Sequence, residues 1–291
     1  MDNKFNNMLQ DFLKNNNVDD IDEANEKLQE FIKMYNNGEI EYKNTPLDDA
    51  LEILEKAERA KSKGQAIKYA KEAYEKCHDC FDAIILQANL ESNPIKRWNL
   101  LNNGLEYEKK RLEKEGYFKK DNIGHFYGIF ETRPYMRGLC TKVDYLLCDG
   151  KMKQARDLCK EILKLNEHDN LGVRYMLMAI YVYLEDESEM LKLYRKFNEN
   201  NFEMLFPLFV LYYKLGNDVK AKEYLDKVNK ANPYFIKFIK GTMKPEKNVP
   251  EGYFSPGDPS EIIMYFTRYR FLLETMPTIH YYILENSKKK K

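Results

Sequence analysis

The chain has 291 residues, of which 43% are hydrophobic and 32% charged, and its 47 basic residues balance 47 acidic ones. This composition excludes a disordered chain, and the neutral total argues against non-specific nucleic-acid binding as the main role. Gly (13) and Pro (10) are scarce, which favours helices over a turn-rich β-protein.

In chain order, residues 1–60 come first and are acidic, with 15 Asp and Glu against 7 Lys and Arg. The opening "MDNKFNNMLQDF" has no apolar core of a secretion signal. Leu47, Ala50, Leu51, Leu54 and Ala57 recur at helical spacing. The segment therefore reads as an N-terminal helical cap. Its acidic residues also make it a candidate cover for a basic groove elsewhere in the chain.

Residues 61–243 read as helical repeats. "GKMKQARDLCKEILKLNEHD" (150–169) matches "GNDVKAKEYLDKVNKANPYF" (216–235), aligning Gly150 with Gly216, Ala155 with Ala221, Ile162 with Val228 and Asn166 with Asn232. The offset of 66 is close to two tetratricopeptide units of about 34 residues each. An intervening unit carries Met190 and Phe197 at the small-residue positions. A further unit lies upstream, with Ala66 and Ala73 before "CHDC". An insertion at about 94–131 separates that unit from the next, opening on a charged helix and ending in an aromatic loop. Stacking of such hairpins predicts an all-α fold, a right-handed α-solenoid of tetratricopeptide-like hairpins. After it, residues 244–286 form a proline-containing loop and C-terminal capping helices, and 287–291 a basic tail.

Five cysteines, at 77, 80, 140, 148 and 159, and no signal segment predict a cytoplasmic protein with reduced thiols. The longest apolar run, Met204–Tyr213, is about half of a membrane span, so no membrane partner is expected. "CHDC" lacks two further ligands at zinc spacing and the strand–helix context of a redox motif. Cys77 and Cys80 are read as structural, and no cofactor or metal is expected. The four histidines are scattered, and no nucleophile, acid–base pair or metal set assembles, so no enzymatic activity is expected.

The blocks "CHDCFDAIILQA", "ETRPYMRGL", "LNEHDNLGVRYML", "NKANPY" and "YFSPGDPSEIIMYF" occur in that order. Over about residues 65–286 the chain resembles the tetratricopeptide-like proteins related to the suppression of tumorigenicity seven family, including their soluble bacterial relatives. Glu167 and His168 depart from that pattern, which favours Pro and Asn there, and the membrane spans of the animal members are absent. The family supplies no catalytic mechanism. The resemblance therefore implies a helical-hairpin fold and a binding role.

The candidate binding residues are Arg133, Tyr135, Arg137, Asn170, Arg174 and Tyr175. Pro134 sets a helix start at Thr132 or Arg133, which puts Arg133 and Arg137 one turn apart on one face. Asn170 and Arg174 have the same spacing near the next first helix. A concave groove lined by these residues suits a partner protein segment bearing an acidic group, because guanidinium binds carboxylate in a fork. The alternative is a small anionic ligand or single-stranded nucleic acid stacked on Tyr135 or Tyr175. The competing structural reading pairs the arginines with Glu131, Asp144 or Asp169.

Overall fold

The computed structural model describes residues 21–40, 43–244 and 254–287, with scattered positions between 5 and 16. Residues 245–253 of the proline-containing loop and 288–291 of the basic tail lie outside the described residues. Among the described residues there are helices and isolated bridges but no β-strand. No described helix is long and apolar enough to cross a membrane. The chain divides into two compact units, residues 1–114 and 115–291.

The first unit holds α1 (Ile21–Asn36), α2 (Pro46–Glu58), α3 (Lys63–Lys76), α4 (Phe81–Leu90) and α5 (Pro94–Lys114). A reciprocal capping box starts α2: Thr45 Oγ1 accepts from the Asp48 amide and the Asp48 carboxylate accepts from the Thr45 amide. Ser62 caps α3 through the Gln65 amide. Each of α2, α3, α4 and α5 packs on its neighbour in sequence. The core they share is rich in alanine (Ala50, Ala57, Ala70, Ala73 and Ala83), and small side chains let helix axes approach closely.

Helices α2 and α3, on either side of residue 60, pack on each other, and α5 packs on α4. The polar sequence of α5 hides a buried stripe of Leu101, Leu105 and Leu112. Gly104 sits so close to α4 that a Cβ there would lie 2.7 Å from Ile84 and Phe81.

The second unit opens with three short 3-10 turns (Lys120–Asn122, Phe126–Gly128, Phe130–Thr132). Three hairpins follow: α6 (Arg133–Cys148) with α7 (Met152–Leu165), α8 (Val173–Leu184) with α9 (Glu187–Phe197), and α10 (Phe202–Lys214) with α11 (Asp218–Ala231). The short α12 (Phe235–Ile239) precedes α13 (Pro259–Tyr269), α14 (Phe271–Glu274) and α15 (Pro277–Asn286).

The repeat shows in the backbone as well as in the sequence. After α6, the Gly150 amide reaches Leu147 O and the Lys151 amide reaches Leu146 O; after α10, the Gly216 amide reaches Tyr213 O and the Asn217 amide reaches Tyr212 O. Both are Schellman endings with glycine left-handed, at φ 68° and 69°. The hairpin between them ends α8 in the same way, but with Glu185 at φ 56° in the glycine position. The second helices agree too. Cys77, Asn166 and Asn232 each follow a small-residue helix (Ala66, Ala155, Ala221) at the same distance and end it at φ −146°, −141° and −138°. Cys77 is thus a repeat terminus, and Cys80 stands at the start of α4.

Asn232 also fastens the C-terminal segment. Its side chain is fully buried and donates to Asp258 O (2.9 Å) and to the Glu261 carboxylate (2.7 Å), and it accepts from the Tyr234 amide (3.0 Å). Two of the sequence blocks, "NKANPY" and "SPGDPSE", are joined by this one side chain. Replacing it with alanine strands Glu261, which keeps only the Gly257 amide. Asn232→Ala is expected to cost about 2 kcal/mol, read as a lower urea midpoint with unchanged slope.

Candidate functional site

Helix α6 begins at Arg133, with Pro134 in its first turn and Thr132 at the N-cap. The Thr132 hydroxyl is buried and bonds to the carbonyls of Phe126 and Ile129. This ties the helix start to the aromatic loop before it. From that start, Arg133, Arg137, Cys140 and Asp144 recur at helical spacing and form one stripe.

The Arg133 guanidinium lies 3.9 Å over the Phe130 ring, and its Nε donates to Tyr127 O at 2.8 Å. No carboxylate pairs with it among the described residues. Arg137 is half-buried, and Asn170 is exposed. Tyr135 is only 3% exposed and meets the Phe118 ring edge-on. It is a core residue and presents no face on which a ligand could stack.

Arg174 and Tyr175 belong to a closed network at the start of α8. The Asp169 carboxylate accepts from the Val173 amide (2.7 Å), the Arg174 amide (2.9 Å) and the Arg174 side chain (2.8 Å). The other edge of the guanidinium meets Glu199 at 3.1 Å, and its plane lies 4.1 Å over the Tyr175 ring. The Tyr175 hydroxyl donates to Glu199 and accepts from Arg174 and from Asn201, the residue that caps α10. Burial and the Glu199 carboxylate push the Tyr175 phenol up to about 12. Burial works against the Arg174 charge, but the hydrogen bonds the guanidinium donates to Asp169 and Glu199, with the nearby carboxylate charge, outweigh it. Of the alternatives open in the sequence, pairing with Asp169 is the one Arg174 adopts. Arg133 and Arg174 do not converge on a shared partner.

The first helices of the three hairpins carry the C-terminal helices. Arg268 of α13 forks onto Asp144 of α6, with Nε to Oδ1 at 3.0 Å and Nη2 to Oδ2 at 2.8 Å. Phe202 and Phe206 of α10 meet Tyr265 and Phe266 at ring separations of 5.1–6.1 Å. Phe209 stacks on Tyr282, and Tyr183 of α8 meets Phe271 edge-on. Asp144 therefore pairs with Arg268, and with none of the three candidate arginines.

Glu203, in the first turn of α10, makes no hydrogen bond or ion pair among the described residues. Burial and the nearby Glu261 carboxylate push its acid up to about 7. The Tyr265 hydroxyl is buried with no hydrogen-bond partner. A cleft of about 230 Å³ opens behind Phe266, lined also by Phe238, Leu273, Arg270 and His280. Burial raises the Cys140 thiol to about 12, so it carries no thiolate near neutral pH. Among the described residues no group of three or more His, Cys, Asp or Glu side chains is placed to hold a metal ion.

Glu199, Asn201, Glu203, Tyr265 and Arg268 are absent from the sequence-derived candidates. Asn201 carries the usual signal of a helix cap. Glu199 and Arg268 meet Arg174 and Asp144 across 25 and 124 positions, and no local pattern marks them, Glu203 or Tyr265. No family model matches the chain, and no curated protein matches it.

Proposed function

We propose that the protein is a non-enzymatic cytoplasmic binding scaffold, a right-handed α-solenoid of tetratricopeptide-like hairpins akin to the suppression of tumorigenicity seven family. In this reading the first helices α6, α8 and α10 form a groove for a segment of a partner protein, and an acidic group of that segment meets Arg133. The observation that carries the reading is that two of these helices, α6 and α10, already hold a helix, α13, by its side chains. The recurring helix endings at Cys77, Asn166 and Asn232 support the repeat assignment.

Arg133 is the member of the candidate set best suited to an acidic group. It shares the α6 stripe with Asp144, about 16 Å further along at 1.5 Å per residue. Its stacking on Phe130 orients the fork and leaves it without a carboxylate among the described residues. Exposed Asn170 is available beside the start of the next first helix, whereas Tyr135 and Arg174 are not.

The test is capture of partners on full-length wild type and Arg133→Ala, with cross-links mapped by mass spectrometry. Arg133→Ala should lose about 1 kcal/mol of stability or less and retain at least roughly tenfold less partner, a loss of ~1.4 kcal/mol in binding. Cross-links should fall on α6, α8 and α10. Capture that ignores position 133, or cross-links confined to other helices, would remove the basis for this site. A small anion or single-stranded nucleic acid recovered in place of a protein would turn the assignment to the alternative.

A further inference from the structure

Two histidines far apart in the sequence stand side by side in the second unit. His125 lies between the first two 3-10 turns, and His168 lies in the turn from α7 to α8. Their ring centroids are 6.1 Å apart, with the ring planes at 44°. The backbone sets this spacing. The Gly124 amide donates to Leu165 O at 3.1 Å, and the Glu167 amide donates to Gly124 O at 2.8 Å. The residues immediately before the two rings are thus bonded to each other. The fold uses neither ring. Asn166 ends α7 and the Asp169 carboxylate holds the first amides of α8. Both histidines are exposed, and neither imidazole has a hydrogen bond or ion pair among the described residues.

Two imidazoles that share one ion, each at a metal–nitrogen distance of about 2.0–2.1 Å, hold their centroids roughly 5 Å apart. A small rotation of two exposed rings closes the difference and leaves the bonded backbone in place. The Glu167 carboxylate carbon lies 3.4 Å from where a Cβ on Gly124 would stand, so a negative charge sits over the same bridge and favours a cation there. No third His, Cys, Asp or Glu joins the pair among the described residues, and the remaining positions on an ion go to water.

We propose that His125 and His168 together bind one divalent transition-metal ion of the zinc, nickel or copper kind, and that the ion fastens the aromatic loop to the turn between α7 and α8. Imidazole suits these metals, whereas calcium and magnesium take oxygen ligands. The joined segments matter to their neighbours. The loop carries Tyr127 and Phe130, which set Arg133, and the turn carries Asp169, which sets Arg174. The ion site stands independently of the scaffold reading.

The chain has four histidines, whose imidazole signals can be followed one by one by NMR. Titrating zinc chloride into the full-length protein near neutral pH, where free imidazole is mostly unprotonated, should move the His125 and His168 signals together and leave His280 unmoved. His125→Gln and His168→Gln should each weaken zinc binding roughly tenfold or more, because the second ligand acts through its high effective concentration. The double variant should be little weaker than either single one, the mark of two groups acting as a unit. Both side chains are exposed, so all three variants should melt with wild type when metal is removed. Zinc should also slow hydrogen exchange at the Gly124 and Glu167 amides. Calcium chloride should produce none of these changes.

If the two signals move at different zinc concentrations, or the single variants bind as wild type does, the rings do not share an ion and the inference fails. Zinc taken up only at His78, between Cys77 and Cys80, overturns it as well. A response to calcium equal to that to zinc would show general attraction of cations by Glu167 and its neighbours, and no imidazole site. Zinc bound by the pair without slower exchange at Gly124 and Glu167 would remove the fastening of the loop.

Discussion

Arg174→Ala melts roughly 10 °C below wild type, a loss of about 3–5 kcal/mol. The reason is what the substitution leaves behind. The Asp169 side chain is 1% exposed and has Arg174 as its cationic partner. It also holds the Val173 and Arg174 amides that open α8, from a left-handed backbone at φ 50°. Without the guanidinium, a buried carboxylate faces Glu199 across the gap. Arg174→Lys recovers little, because one ammonium cannot span both carboxylates while stacking on Tyr175. Calorimetry on the two variants, with Arg133→Ala alongside, checks the ranking. A melt of Arg174→Ala within a degree or two of wild type would show that the network does not hold the hairpins, and would return Arg174 to the ligand set.

The second large effect depends on pH. Glu203→Gln melts above wild type at pH 8, and the two converge below pH 4.5. The Glu203 acid is raised from 4.5 to about 7, first by burial and then by the charge of Glu261 on α13. Glu199, between α9 and α10, adds to the rise, while Arg174 of α8 and Arg268 of α13 oppose it. Because the folded-state value lies above the unfolded one, the unfolded chain releases this proton first. Stability therefore falls as pH rises between those two values and is flat above them. At 1.36 kcal/mol per unit the whole effect has a ceiling of ~3.5 kcal/mol, and solvent screening of this half-buried side chain lowers it. Melting both proteins from pH 4 to 8 provides the measurement. Parallel profiles would mean that Glu203 is already ionised in the folded chain.

Much of the helical framework is legible from local signals. Thr132 and Pro134 mark the start of α6, and Gly150 and Gly216 mark two endings, because left-handed backbone favours glycine. The hairpin between them is harder to see, since Glu185 takes the same conformation without the residue that advertises it. Helix α5 is legible as a charged helix, but its contact face is not, because three leucines and a glycine carry that face within an otherwise charged sequence. The candidate site divides along the same line. Asp169 and Arg174 are five residues apart and could be paired on paper, whereas Asp144 and Arg268 are 124 apart. Nothing near Asp144 indicates which arginine will reach it. Helices α13–α15 lie on α6, α8 and α10 through contacts of this long-range kind.

That arrangement has a consequence for synthesis. Phe202, Phe206 and Phe209 are fully buried in the finished protein, partly by rings from residues 265, 266 and 282. A ribosome adds about 5–20 residues per second, so the rings of α10 emerge roughly 3–12 s before their cover. During that interval a growing chain displays an aromatic strip suited to binding a helix, and any suitable helix nearby, including one from a neighbouring nascent copy, meets it before the chain's own C-terminus does.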